Sequence, residues 1–368
     1  MLKALVTAAL SALVLGSSAV AQEEAIRPTP PAPAAIRPVI EKAVDGFIRP
    51  GYRDFHAAAG ALAEEMDALC AMPSPAALAA AKESFAKAAR NWARIEIVRT
   101  GPAIEENRFE RILFYPDRKS TGLKQVQALI AKPDEGATEV AALKDKSVAM
   151  QGFGALEFVL AGTGSESLAT AEGGFRCRYG RAVALNIEQI ASELAALWDV
   201  PNGVQQDWKE PGPDNPLFRT EQEAMTALLG ILVHGAEMVR DQRIETFYKG
   251  GEKPVFPKQA IFWRSQNTWT MVEGNLEGLR DLIRTSEMVD LLPPDQHSII
   301  RSTEFVLKSL LRVVGQMDAD IEATVADAAG REKLDFLLIN GRDLITRLND
   351  QYGGAIGLTS GFSFSDGD

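Results

Sequence analysis

The chain has 368 residues, 46% hydrophobic and 24% charged, proportions of an ordinary folded protein that exclude a disordered acidic chain and a multi-spanning membrane protein. Its net charge of -11, from 39 basic and 50 acidic residues with no Lys/Arg stripe, argues against a nucleic-acid partner. Two cysteines are too few for a disulfide scaffold or a thiolate zinc site.

Residues 1–21 read as an export signal. Lys3 supplies the positive start, an apolar run too short to span a bilayer follows, and Ala19-Val20-Ala21 is a small-x-small cleavage site. Cleavage after Ala21 predicts a periplasmic protein with no transmembrane segment left. In an oxidising compartment Cys70 and Cys177 either pair as one disulfide or remain two buried thiols; a bridge would close a long loop and contribute about 4–5 kcal/mol.

Residues 22–37 are a Pro-rich linker. From residue 38 apolar residues recur at helical spacing, beginning with Ile40, Val44, Phe47 and Ile48. Pro50-Gly51 is expected to kink or break the first helix. Further helices are expected at 76–99, at 140–161 and from Tyr179 to Trp198, with short pieces near 105–115 and 123–131. The stretch 201–216, rich in Pro, Asn, Gly and Asp, reads as a domain boundary. Beyond it, helices are expected at 221–247, 267–283, 295–325 and 331–351. Alternating strand patterns are almost absent. The expectation is an all-α fold of two helical-bundle domains, 38–200 and 217–368, each of about four long helices.

The chemistry-bearing residues are few. There is no HExxH, P-loop or dinucleotide-binding turn. His56, His234 and His297 have no second His at i+3 or i+4, so no two-His helical zinc site forms. Two segments stand out. Trp92, Glu96 and Arg99 fall at i, i+4 and i+7, on one face of an otherwise apolar helix; they form either a polar site or an intrahelical ion pair under Trp92. Glu157 is the single acid in a very apolar helix, preceded by Gly152 and Gly154. A lone buried carboxylate needs a cation or donors. Glu157 is therefore either a ligand group or a carboxylate capped by an Arg at a Gly-mediated helix crossing.

These residues, with three further stretches, resemble the imelysin family of exported bacterial proteins. Trp92 to Pro102 is similar to its W-x-x-x-E-x-x-R-x-G-P pattern. Phe114-Tyr115-Pro116-Asp117-Arg118, Phe262-Trp263-Arg264-Ser265 and the end from Gly357 through Gly361-Phe362 to Asp366-Gly367-Asp368 resemble its other motifs. The resemblance implies two helical bundles, a link to iron uptake and a historical classification as a metallopeptidase. The chain departs from the family at its Gly-x-His-x-x-Glu signature. Gly152, Gly154 and Glu157 align with it, so glycine stands where the histidine belongs.

A hydrolytic zinc needs about three protein ligands, which this segment does not supply. Oxygen-rich sites suit iron, calcium or manganese better. The expected function is therefore a non-enzymatic periplasmic binding protein for iron or another metal ion or its chelate. No residue is assigned a catalytic role. Glu157 and Glu96 are the expected acidic groups, with Arg99, Asp117, Arg118 and Arg264 completing the site or binding a carboxylate-bearing chelate. The alternatives are a metal-dependent peptidase of the imelysin type and a helical interaction module that binds another envelope protein.

Overall fold

The computed structural model describes residues 28–358, and its regular elements are helical, with no strand among the described residues. The export signal, the start of the linker and the end from Gly361 to Asp368 lie outside the described residues.

Helix α1 (Pro33–Ala43) begins inside the stretch expected to be linker. Pro33 stands at the first helical position, where a missing N–H costs nothing. The chain then runs through a π-helical turn, Val44–Ile48, into α2 (Arg49–Ala71). The kink expected at Pro50-Gly51 does not break the helix. The wider turn lies just ahead of Pro50, where ring crowding and a missing donor would disturb an α-helical ladder. Helix α3 (Pro75–Ile95) is capped by Ser74, whose Oγ accepts from the Ala77 N–H at 3.1 Å.

Helices α4 (Arg108–Ile112), α5 (Thr121–Ala131) and α6 (Val140–Leu143) are short. The single helix expected over 140–161 is broken, and α7 (Phe153–Ala161) starts only after Gly152. A side chain at Gly152 would place its Cβ 2.2 Å from the Ile112 carbonyl oxygen, so this position serves close backbone approach. Helix α8 (Gly174–Asp199) completes the first half. The stretch 201–216 contains α9 (Val204–Lys209), whose fully buried Trp208 lies against Trp198 and Phe218.

In the second half, α10 (Glu221–Glu237) continues as a π-helical segment, Met238–Ile244. Helix α11 (Thr268–Thr285) follows. The helix expected over 295–325 divides into α12 (Ser298–Val314) and α13 (Ile321–Ala326). Asp320 causes the division by capping α13 with bonds from the Glu322 and Ala323 N–H groups. Helix α14 (Ala328–Thr346) ends the fold with another π-helical turn, Arg347–Gly353.

Helices α2, α3, α7 and α8 pack as one bundle, and α10, α11, α12 and α14 as the other. Helix α3 belongs to both surroundings, with α2 on one side and α11 on the other. The α3–α11 crossing is backbone-tight. A Cβ at Gly274 would lie 2.8 Å from the Arg90 carbonyl oxygen, and one at Gly278 2.2 Å from that of Arg94. Ion pairs of Arg90 with Glu273 and Glu277, and of Arg94 with Asp281, flank the crossing. Cys70 and Cys177 form a disulfide between α2 and α8 across 107 residues.

Two stability changes follow from this packing. Gly278→Ala forces two backbones apart and is expected to cost about 1–3 kcal/mol in urea unfolding; an unchanged midpoint would contradict the tight crossing. Replacing both Cys70 and Cys177 by Ala is expected to lower stability by about 4–5 kcal/mol, because a loop of this length is released in the unfolded chain.

Candidate functional site

Two cavities lie side by side between the halves. The larger is a cleft of about 1200 Å³, lined on one side by Glu96, Arg99 and the segment 114–119, and on the other by α10 and the π-helical segment after it. The smaller, of about 110 Å³, is lined by Gly154, Glu157, Trp263 and Arg264 among others. Phe114, Tyr115 and Asp117 line both.

The expected site residues divide between these cavities. Glu157 and Arg264 come together at the small pocket. Glu157 Oε1 accepts from the backbone N–H groups of Arg264 (3.0 Å) and Ser265 (3.1 Å), and its Oε2 lies 3.5 Å from the Arg264 guanidinium. The carboxylate thereby anchors the turn that leads into α11 to the first bundle. Glu157 is only 4% exposed. Burial pushes its carboxyl above the ordinary value, and Arg264 with the two N–H groups pulls the other way without cancelling that shift. Gly154, by contrast, is exposed, and a Cβ there would meet nothing within 4 Å. The position where the sequence motif lacks its imidazole therefore opens into the pocket.

Glu96, Arg99, Asp117 and Arg118 line the large cleft. Glu96 is not on a shared helix face with Arg99, because α3 ends at Ile95 and Glu96 is its C-cap. The Thr100-Gly101-Pro102 stop acts earlier than the spacing predicts, and a turn carries Arg99 away. Glu96 is sealed. Its Oε1 accepts from Arg243 Nη2 (2.7 Å) and Asn275 Nδ2 (2.7 Å), and both members of the Glu96–Arg243 pair are buried. Such a pair is costly to break from one side, because the other charge is left stranded. Arg99 binds Glu110 at 2.8 Å and stacks on the Phe109 ring. Asp117 accepts from the Thr121 and Leu123 N–H groups at the start of α5. Arg118 and Lys119 are exposed on the cleft rim and form no ion pair among the described residues.

The sequence singled out neither Arg243 nor the role of Tyr115. The π-helical segment turns Arg243 inward, where it sits over the Tyr115 ring, 5.1 Å from its centre. The Tyr115 hydroxyl is shared between the carbonyls of Gln242 and Gln259, and burial pushes its pKa up to about 12. Also missed is the opposite cleft wall, where His234 and Glu237 lie one turn apart on α10. Their i, i+3 spacing was readable in the sequence.

The donor set does not fit a hydrolytic metal. Among the described residues no group of three His, Cys, Asp or Glu side chains could hold a metal ion. The Glu157 and Glu96 carboxylates stand apart, each already engaged with an arginine.

The arrangement defines an all-α, two-bundle protein with a mixed polar and apolar cleft between its halves. The chain belongs to the imelysin family, whose sequence profile matches residues 48–348. Two solved structures share the fold. An imelysin-like protein from Psychrobacter arcticum 273-4 is 17% identical with a TM-score of 0.69, covering 91% of this chain and 100% of that one. A putative iron-regulated protein A precursor from Parabacteroides distasonis ATCC 8503 is 15% identical with a TM-score of 0.71, covering 89% and 96%. Comparison with curated proteins returns no match.

The raised pKa of Glu157 sets a pH signature. A carboxyl raised in the folded state contributes stability that is present below its unfolded value and lost as pH rises through the folded one. Against the Glu157→Gln variant, the wild type is expected to lose stability as the pH rises above the ordinary carboxyl value of 4.5 in denaturant titrations. Parallel stability curves would show that the carboxyl is not perturbed.

Proposed function

We propose that this chain is a non-enzymatic binding protein of metal acquisition, acting in the periplasm, whose large cleft takes a metal chelate. One observation carries the reading. A cleft of about 1200 Å³ brings Arg99, Arg118 and Lys119 to one side of an interior that also offers Phe114, Phe218, Ile231 and Met238. Mostly apolar concavities with a few convergent polar groups are the usual form of small-molecule sites. Arginines suit the paired oxygens of a carboxylate.

Iron is the favoured metal because the structurally similar chain from Parabacteroides distasonis is described as a putative iron-regulated protein. Membership of the imelysin family agrees with this. The periplasmic address is supported by the signal-like residues 1–21 and by the Cys70–Cys177 bridge, which suits an oxidising space. No hydrolytic step is assigned to the chain's residues, since the carboxylates that would serve a catalytic metal are held by Arg243 and Arg264.

Calorimetry with ferric citrate tests the reading. Wild-type protein is expected to bind, and Arg118→Ala to bind about tenfold more weakly, because it removes an unpaired cation from the rim. Absence of binding, or equal binding by both proteins, would overturn it.

A further inference from the structure

We propose that His234 is the one protein donor to the metal of a chelate held in the large cleft, with Glu237 fixing the imidazole for that task. The inference rests on the reading of the cleft as a chelate site and names the kind of chelate it takes. His234 Nδ1 lies 3.1 Å from Glu237 Oε2. A carboxylate only accepts, so Nδ1 carries the hydrogen, which leaves Nε2 as the nitrogen that can offer a lone pair to a metal. Nε2 makes no hydrogen bond among the described residues. His234 lines the cleft and its side chain is 24% exposed, so the ring is reached from the cleft.

A metal-binding histidine is ordinarily oriented this way, its second nitrogen donating to a carboxylate. The glycine at 230, one turn before His234, adds no side chain beside the ring: a Cβ there would lie 3.7 Å from Nε2.

A single imidazole does not hold a bare ion, and among the described residues no third His, Cys, Asp or Glu completes a cage. The remaining ligands must therefore arrive with the metal. The matching cargo is a metal ion wrapped in a small polycarboxylate that leaves a coordination position exchangeable. Arg118 and Lys119, which line the same cleft, offer cations to its carboxylates, and Nε2 offers a donor to its open position. Binding exchanges a bound water for the imidazole nitrogen, with no change of oxidation state. Glu237 is committed to His234, Asp241 to Arg240 and Glu223 to the Arg219 N–H, so the acidic groups of this wall are already partnered. Imidazole is a suitable donor for iron, nickel, copper and zinc alike.

Nickel(II) nitrilotriacetate is the probe, because it is a carboxylate chelate with positions that imidazole can take. Untagged wild-type protein is expected to bind it with a shift of the visible absorption band. His234→Ala and the size-matched His234→Gln are expected to lose that shift and to weaken binding at least tenfold. Glu237→Gln should weaken it about tenfold by releasing the ring. His56→Ala, away from the cleft, should leave binding unchanged. An equal band and equal affinity in the His234 variants would overturn the inference. If ferric citrate still binds in an Arg118-dependent way while the nickel chelate shows no His234-dependent shift, this inference fails and the chelate reading stands. Failure of both chelates to bind wild-type protein would remove both.

Discussion

The close backbone contact between α3 and α11 is the constraint on which the rest depends. Gly274 and Gly278 let the two helices approach until a Cβ on α11 would meet the Ala93 methyl and the Arg90 and Arg94 carbonyl oxygens of α3. Helix α3 is also a principal neighbour of α2, so this one crossing fixes where the second bundle sits on the first. Asn275, between the two glycines, donates to the Ala93 carbonyl and to Glu96. Glu96 in turn meets Arg243, and Arg243 lies over Tyr115. The floor and one wall of the cleft thus descend from a helix crossing that only small residues permit.

Arg243 shows why irregular helix matters here. A regular continuation of α10 would carry each residue on by 3.6 to the turn, whereas the π-helical segment widens it. That register brings a guanidinium into the core at the point where α3 ends on a carboxylate. The pair is weak evidence of stability, because two ions must be stripped of water to form it. It is better regarded as a fixing of geometry: among the described residues Glu96 ion-pairs with Arg243 alone, and that partner comes from the other bundle.

Much of the fold was legible in the sequence because long amphipathic helices declare themselves by period. Helices α3, α8, α10 and α11 fell close to their expected places, and so did the Cys70–Cys177 bridge. The errors have local causes. Pro33 began a helix where a Pro-rich run suggested none, and a π turn carried α2 past Pro50. The helix expected over 140–161 already ends at Leu143, and it resumes only after Gly152, where another backbone passes.

The candidate site was legible only in its parts. Glu157 announced itself as an acid among apolar residues, and its arginine, Arg264, stood in a recognised segment. Which carboxylate meets which arginine depends on contacts across more than a hundred residues, and local spacing carries no such information. His234 has no second His at helical spacing; its partner is a carboxylate one turn away, a pairing common on helix faces of any role.

The segment 114–117 has a consequence of its own. Phe114, Tyr115 and Asp117 are a party wall between two chambers of very unequal size. Asp117 is tied to the start of α5, and Tyr115 is tied to two carbonyls of the second half. Any guest that displaced this partition would enlarge one chamber at the other's expense. By thermodynamic reciprocity a guest in the neighbouring chamber would then act on the first to the same degree.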